Sequence, residues 1–292
     1  MKKYFIMLII MIFGVFTYAV NISVSIYPYY LVINEIKAEN DSLNLLIPEG
    51  KSPHTYSLTI NDMKKLYASD AVFVNGLGAE VFIEKVFNNL EKRGIKISEL
   101  GEFIPEDELI GDEDDDSEKD SADHHHGNFN PHVWISPYFM YEYIIPEIYS
   151  VLSEVNPSDK DVYYANSQKL IKKLKELDSD FFMKSKNKNI SFLAFHDSFA
   201  YFAGRYGFVS AGVVQVSPGI DPTPSQMKNI MDNAKNNNVN IIFTEPQLSD
   251  RAARAIAGNM NIKTGILDPL GNEKMGSIID LYEYNFYNFI NE

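Results

Sequence analysis

The chain has 292 residues, no cysteine and a formal net charge of −14 at pH 7. The lack of cysteine excludes disulfide bonds and thiolate metal ligands. Such an acidic chain is a poor partner for nucleic acids and anionic lipids and favours cationic ligands, although solubility alone would also explain the charge. The length is sufficient for two lobes or for one large domain.

The first residues have the organisation of an export signal. Lys2 and Lys3 precede residues 5–16, which include no charged or strongly polar side chain. Thr17 and Ala19 then place small residues where a signal peptidase inspects the chain, which predicts a signal peptide over residues 1–19. A retained anchor is the alternative, but this apolar run is too short to cross a hydrocarbon core about 30 Å thick. Because no lipobox cysteine follows, we expect the mature chain to be free in the periplasm.

Short apolar segments alternate with amphipathic segments in both halves of the chain. In the first half, the pattern predicts strands at 21–26, 43–47 and 71–74, and helices at 29–38, 59–67 and 80–90. In the second half, it predicts strands at 191–195, 208–216, 241–244 and 263–267, and helices at 198–206, 224–237, 249–260 and 274–290. This alternation predicts βα units and an α/β fold with mainly parallel sheets.

A long helix is predicted between the two halves, over residues 158–185, which contain no glycine or proline. Its apolar residues recur at spacings of three, four and seven, and they form one stripe: Tyr163, Leu170, Leu174, Leu177 and Phe181. A helix of this length spans roughly 40 Å. We therefore expect an N-terminal lobe at 20–154, a rigid linker helix at 155–187 and a C-terminal lobe at 188–292.

Residues 105–130 differ from the rest of the chain. They include eleven carboxylates and a single lysine, and the acidic run ends in His124, His125 and His126. Such a segment cannot bury an apolar face, which predicts a mobile loop. Imidazoles beside Asp123 and the other carboxylates offer nitrogen and oxygen ligands for a weakly held divalent metal ion. A solvated acidic loop without any metal is the simpler alternative.

The other three histidines, His54, His132 and His196, are widely separated, and each follows a predicted strand or lies in the loop after it. Asp268 follows the strand predicted at 263–267 in the same way. In α/β folds this is where ligand-binding groups lie. Each histidine alone is more typical of a hydrogen-bonded structural residue, and Asp268 before Pro269 is typical of a turn. The spacings match no local metal motif, so the residues alone indicate only an exported α/β protein with candidate metal ligands.

Seven short segments, taken together and in this order, resemble the metal-specific solute-binding proteins of ABC importers, the zinc, manganese and iron group. They are PHTY (53–56), NGLGAE (75–80), NPHVW (130–134), FHDSF (195–199), SPGIDPTPS (217–225), TEPQ (244–247) and LDPLG (267–271). The resemblance covers essentially the whole mature chain and is greatest to the periplasmic zinc-uptake members. It implies two (β/α) lobes joined by one long rigid helix. It also implies a metal held in the cleft by His54 and His132 from the first lobe and by His196 and Asp268 from the second.

The implied ligand set indicates zinc as the cargo. Three imidazoles and one carboxylate favour zinc over manganese, which prefers oxygen-rich sites. A manganese- or iron-binding protein of the same family is the alternative. Glu245, in the TEPQ segment, is a candidate partner for a ligand imidazole, and a salt bridge to Arg251 or Arg254 is its plainer role.

The resemblance further implies a monomer that captures Zn²⁺ without catalysis and delivers it to the permease and ATPase subunits of the importer. An exported zinc-dependent hydrolase is the rival from another class, because a catalytic zinc needs an open coordination position and a nearby base. A role in cell adhesion, which is associated with some relatives, has no support from a repeat or an anchor in this sequence.

Overall fold

The computed structural model describes residues 18–111, 129–215 and 220–291. Two four-stranded sheets organise these residues, with strand orders β2-β1-β3-β4 and β6-β5-β7-β8. The strands are β1 (Asn21–Val24), β2 (Ser42–Leu45), β3 (Ala71–Val74), β4 (Lys96–Glu99), β5 (Ser191–Ala194), β6 (Val209–Val213), β7 (Ile241–Thr244) and β8 (Lys263–Ile266). Every pairing within these two sheets is parallel. The predicted α/β class with parallel sheets is confirmed.

Helices cover the sheets and join them. They are α1 (Tyr27–Ile36), α2 (Ile60–Tyr67), α3 (Val81–Glu91), α4 (Pro137–Phe139), α5 (Ile145–Val155), α6 (Lys160–Ser185), α7 (Ala200–Tyr206), α8 (Pro224–Asn236), α9 (Arg251–Met260) and α10 (Ile278–Asn291). Among the residues described, no helix is both long enough and apolar enough to cross a membrane.

Both sheets use the same strand order, so both reverse the direction of winding at the same place. In the first sheet the chain runs from β1 outward to the edge strand β2 and then returns past β1 to β3; in the second it runs from β5 to β6 and then past β5 to β7. The reversal points therefore lie between β1 and β3 and between β5 and β7. A crevice forms at the carboxyl ends of the strands at such a reversal point, and ligands of α/β proteins bind there. The fold therefore offers one crevice per sheet.

Helix α6 is the rigid connection between the sheets. Its 26 residues span about 39 Å, and the predicted apolar stripe is buried along its length. The helix contacts α1 and α5 of the first lobe and α7 and α10 of the second. In the second lobe, Phe181 of α6 stacks on Phe286 of α10 with ring centroids 4.0 Å apart. This continuous packing leaves no flexible linker at this point of the chain.

Two parts of the first lobe are absent from the predicted elements. Strand β4 is only half-buried along most of its length, and the amphipathic stretch KISE has few strand-forming residues. Residues 137–155 form α4, a π-helical turn (Met140–Ile144) and α5. Pro146 has no N–H to donate to the carbonyl of Glu142, so a regular α-helical ladder cannot run through this segment.

The last helix begins later than the predicted range of 274–290. It begins at Ile278, because Ser277 and Asp280 cap its first turn. The Ser277 hydroxyl accepts from the Asp280 N–H at 3.2 Å, and the Asp280 carboxylate accepts from the Gly276 N–H at 2.9 Å. A serine followed three residues later by an acidic residue is a helix-start signal in the sequence.

A largely buried ionic cluster connects α6 to the π-helical turn of the first lobe and to α7 of the second. The Asp178 carboxylate of α6 accepts from the Arg205 guanidinium, from Tyr206 at 2.9 Å and from Tyr141 of the π-helical turn at 3.1 Å. The Arg205 guanidinium also lies 4.6 Å from the centre of the Tyr138 ring. Asp178 therefore joins one element of each lobe to the linker helix.

Replacing Asp178 by alanine should destabilise the protein by about 3 kcal/mol, because Arg205 would lose its buried partner. The matched control is Asp180→Ala on the same helix, where the carboxylate is exposed and pairs with Lys184. That change should cost less than about 0.5 kcal/mol. Urea unfolding of the metal-free proteins measures both values. Equal losses in the two variants would contradict a structural role for the Asp178 cluster.

Candidate metal site

Three histidines distant in the sequence meet between the two lobes. The ligand atoms of His54, His132 and His196 all lie within 4.8 Å of one another. The Nε2 atoms of His54 and His132 are 3.1 Å apart. For comparison, two nitrogen ligands of one tetrahedral zinc ion lie roughly 3.3 Å apart. Within the described part of the chain, no other group of His, Asp and Glu side chains has this arrangement.

Each histidine is held by a short, rigid stretch of backbone. His54 lies in a 3-10 turn (Pro53–Thr55) beyond β2. His132 directly precedes a 3-10 turn (Val133–Ile135), and a proline stands before each of these two histidines. His196 is the second residue after β5, at the carboxyl end of that strand. Proline fixes its own φ angle and thus restricts the direction in which the next side chain points.

Burial keeps two of these imidazoles neutral. It lowers the pKa of His54 to about 4, with the neighbouring His196 as the second cause. Burial also lowers the pKa of His132 well below its usual value, and both other imidazoles add to the effect. A neutral imidazole has a free lone pair, which is the form that binds a metal ion. At neutral pH these two side chains are therefore in the form that can bind a metal ion.

The imidazoles line a small, partly open pocket that has room for a single ion or water molecule. Its free space is about 10 Å³, comparable to one water molecule. The pocket is lined by Ser52, Pro53, His54, His132, Trp134, His196, Glu245, Gln247, Leu248, Pro269 and Leu270. Residues of both lobes contribute to this wall, so the pocket exists only when the lobes are in contact.

Trp134 holds the two lobes together beside the pocket. Its indole N–H donates to the carbonyl of Pro269 at 2.8 Å, and its own carbonyl accepts from the Tyr282 hydroxyl at 2.7 Å. Its ring lies 5.0 Å from the ring of His132. Because Trp134 is fully buried, it fixes one wall of the pocket.

The NGLGAE segment supports the His132 loop from within the first lobe. The buried carboxylate of Glu80 accepts from the backbone N–H groups of Asn75 and Gly76 at 3.0 and 3.2 Å. Asn75 in turn donates from its side chain to the carbonyl of Pro131 at 2.9 Å. Burial raises the pKa of Glu80 to about 7. The segment thus contributes to the site through the backbone that positions His132.

Asn130 contacts His132 directly. It begins the NPHVW segment, but it was not among the predicted site residues. Its side-chain oxygen lies 2.8 Å from Nδ1 of His132 and also accepts from the backbone N–H of His132 at 3.0 Å. Its amide nitrogen donates to the backbone carbonyl and to the carboxylate of Asp197, both at 2.8 Å. An amide residue two positions before a candidate ligand is a signal that can be read from the sequence.

Glu245 lies in the wall of the pocket, beside His196. Its Oε1 is 3.6 Å from Nδ1 of His196 and accepts from the Ser198 hydroxyl at 2.6 Å. Arg254, one of the two arginines considered as its partner, is engaged with Asp250 at 2.6 Å. The position beside His196 is consistent with a group that orients this imidazole, and that role stays a prediction.

Asp268 lies outside the group of three histidines. Its Oδ1 accepts from the Gln247 side chain at 2.7 Å and from the backbone N–H groups of Leu270 and Gly271 at 3.2 and 2.9 Å. Its Oδ2 accepts from the Asn272 side chain at 3.3 Å. The carboxylate thus closes the turn that follows Pro269, and its role as the fourth ligand stays a prediction.

The predicted accessory ligands Asp123, His124, His125 and His126 lie outside the described residues. The described chain ends on either side of them in a short antiparallel bridge between Gly111 and Phe129. Phe129 directly precedes Asn130, so this bridge places Gly111 and Phe129 close to the histidine site.

The fold and the three-histidine pocket define a metal-binding protein of the solute-binding type. The sequence profile of the family described as "Zinc-uptake complex component A periplasmic" matches residues 22–291. The chain belongs to this family of zinc-uptake proteins, and the resemblance seen in the sequence is confirmed.

Individual relatives agree with this assignment. The high-affinity zinc uptake system protein ZnuA of Yersinia pestis is 29% identical over 265 residues, which are 85% of this chain and 80% of that protein. A crystal structure of ZnuA is 25% identical and superposes with a TM-score of 0.79 over 94% of this chain and 98% of that one. The periplasmic zinc-binding protein TroA of Treponema pallidum has a TM-score of 0.80 over 94% of this chain and 98% of that one. At 19% identity, the likeness to TroA shows the fold alone.

The lowered histidine pKa values predict that acid destabilises the metal-free protein. Between pH 6.5 and about 4, the unfolded chain protonates His54 while the folded protein does not. Stability is therefore retained above pH 6.5 and is lost as the pH falls, with a slope of up to about 1.4 kcal/mol per pH unit for each such histidine.

Urea unfolding of the metal-stripped protein at pH 7.5, 6 and 5 measures this loss. The His54→Gln variant cannot protonate at this position and should lose less stability over the same range. The same loss of stability with falling pH in both proteins would contradict the assignment of a neutral His54.

Proposed function

We propose that this chain is an extracytoplasmic binding protein that captures Zn²⁺ and delivers it to the permease and ATPase subunits of an ABC importer. The observation that carries the proposal is the convergence of three imidazoles from two lobes in one small pocket. Neutral imidazoles are good zinc ligands, and a nitrogen-rich site favours zinc over manganese. Membership of the zinc-uptake family supports the same cargo.

In this proposal His54, His132 and His196 are the ligands, and Asp268 occupies the fourth position. Two observations support Asp268. Its neighbours Pro269 and Leu270 line the pocket, and its Oδ2 accepts a hydrogen bond at 3.3 Å, which is long for such a bond. Glu245 orients the ring of His196 from its Nδ1 side, because a ligand imidazole usually donates its other N–H to a carboxylate or carbonyl.

The size of the pocket argues against the rival function as a zinc-dependent hydrolase. Space of about 10 Å³ accommodates an ion or one water molecule but no peptide or ester. Capture of an ion fits this small space better.

The proposed transport cycle follows from the connection between the lobes. The chain is exported by its signal peptide to the periplasm, where it acts as a monomer of two lobes, 20–154 and 188–292, on a linker at 155–187. Zinc binds the histidines of both lobes and holds them closed, and the permease releases the ion by separating the lobes. The acidic segment, with Asp123, His124, His125 and His126, concentrates zinc near the site without forming part of it.

Alanine in place of His54, His132 or His196 should each lower the zinc affinity by at least about 100-fold, because one of the nitrogen ligands is lost. The matched control replaces His124, His125 and His126 together by alanine. This variant should retain the high-affinity site within about threefold.

Equilibrium competition against a zinc chelator measures these affinities, and parallel titrations with Mn²⁺ test the choice of metal. Tighter retention of manganese would contradict the zinc assignment. If the control variant lost high-affinity binding while the variants at His54, His132 and His196 retained it, the zinc site would have to be in the acidic segment instead.

The Asp268→Asn variant tests the fourth ligand separately. Asparagine preserves the shape and the capped turn but is a much weaker zinc ligand, so the affinity should fall by about tenfold. Gln247→Ala removes a partner of Asp268 without removing a proposed ligand and should leave the affinity unchanged or raise it. Unchanged affinity in Asp268→Asn would exclude Asp268 from the coordination shell.

A further inference from the structure

The side chain of Asn130 uses all of its hydrogen-bonding groups between the two lobes. Its oxygen faces the backbone N–H and the Nδ1 of His132 in the first lobe. Its amide nitrogen donates to the carbonyl and to the carboxylate of Asp197 in the second lobe. Asn130 is buried, with 6% of its surface exposed. A single amide group therefore joins the loops that carry His132 and His196.

Only one orientation of this amide satisfies its four contacts. After a rotation by 180°, the NH₂ group would face the backbone N–H of His132, and the oxygen would face two oxygens of Asp197. A donor would then face a donor at His132, and an acceptor would face two acceptors at Asp197, so these groups would lose their hydrogen bonds. The surroundings thus determine which end of the amide faces His132.

The orientation of Asn130 in turn determines the tautomer of His132. An amide oxygen can only accept, so the Nδ1 atom that lies 2.8 Å away must carry the proton. The lone pair of a neutral imidazole is then on Nε2, the atom that lies 3.1 Å from Nε2 of His54. The ring of His132 is therefore prepared to bind a metal ion through Nε2.

The backbone of Asn130 is also tied to the second lobe. Its carbonyl accepts from the Tyr201 hydroxyl at 2.7 Å, and the same hydroxyl accepts from the Ile110 N–H at 3.2 Å. Tyr201 belongs to α7, which begins four residues after His196. Any movement that separates the lobes here must pull on Asn130.

We propose that Asn130 is a positioning residue that fixes the Nε2-binding tautomer of His132 and couples it, through Asp197, to the segment that carries His196. The tautomer of His132 follows from the structure alone, whereas the coupling to His196 rests on the proposed function, in which both histidines are ligands. Its consequence is kinetic: release of the ion requires the lobes to separate, and the Asn130–Asp197 contact resists that separation.

The tautomer is tested on the metal-free protein by ¹⁵N NMR of the histidine side chains. We expect His132 to carry its proton on Nδ1 in the unmodified chain and to lose that preference in Asn130→Ala. The matched control is Asn166→Ala, which removes an amide that donates to the carbonyl of Ile36, away from the site. An unchanged tautomer in Asn130→Ala would overturn the proposal.

The coupling between the lobes is tested by zinc dissociation into excess chelator. Asn130→Asp retains an acceptor for His132 but places a carboxylate against Asp197, so zinc should dissociate about tenfold faster. The double variant Asn130→Asp/Asp197→Asn restores a donor–acceptor pair between the two side chains. Only that pair is restored, because the backbone carbonyl of Asp197 would still face a carboxylate oxygen. Zinc should therefore dissociate more slowly than from Asn130→Asp but faster than from the unmodified chain.

The outcomes separate this inference from the proposed function. An unmodified chain that binds no zinc but shows the Asn130-dependent tautomer would contradict the proposed function and leave the positioning role intact. A double variant that dissociates as fast as Asn130→Asp would overturn the coupling between the lobes. Urea unfolding of each variant shows whether faster zinc dissociation merely reflects a less stable fold. A loss of that kind would not be reversed by Asp197→Asn.

Discussion

The contact of three imidazoles across the boundary between two lobes is the constraint on which the rest of the structure depends. His54 and His132 come from loops of the first lobe, and His196 comes from the end of a strand in the second. Their ligand atoms can lie within 4.8 Å of one another only if both lobes keep a fixed distance and rotation. Helix α6, Trp134 and Asn130 are among the parts of the fold that join the two lobes.

The same arrangement has an electrostatic cost that a bound cation offsets. The imidazoles lose part of their hydration, and the pKa values of His54 and His132 fall because protonation would bury a positive charge. A divalent ion bound by the proposed ligands would offset this cost, because neutral imidazoles are the form that binds a metal ion.

The sequence predicted the parts of the fold that depend on local pattern. Strands β3 and β7 were predicted with their observed bounds, because β3 is a fully apolar run and β7 is apolar up to its last residue, Thr244. It did not predict β4, which is only half-buried, or the π-helical turn before Pro146. The importance of Asn130 and the hydrogen bond from Gln247 to Asp268 depend on partners 67 and 21 residues away. Such contacts follow from the relative placement of the lobes, which periodicity does not encode.

X-ray absorption at the zinc K-edge, on the protein loaded with one equivalent of Zn²⁺, tests the central claim most directly. The variant with alanine at positions 124, 125 and 126 removes any contribution from the acidic segment. We predict three imidazole nitrogens at about 2.0 Å from the metal, with the multiple-scattering pattern of histidine. A first shell of oxygen alone, or loss of the imidazole pattern in the loop variant, would contradict the account.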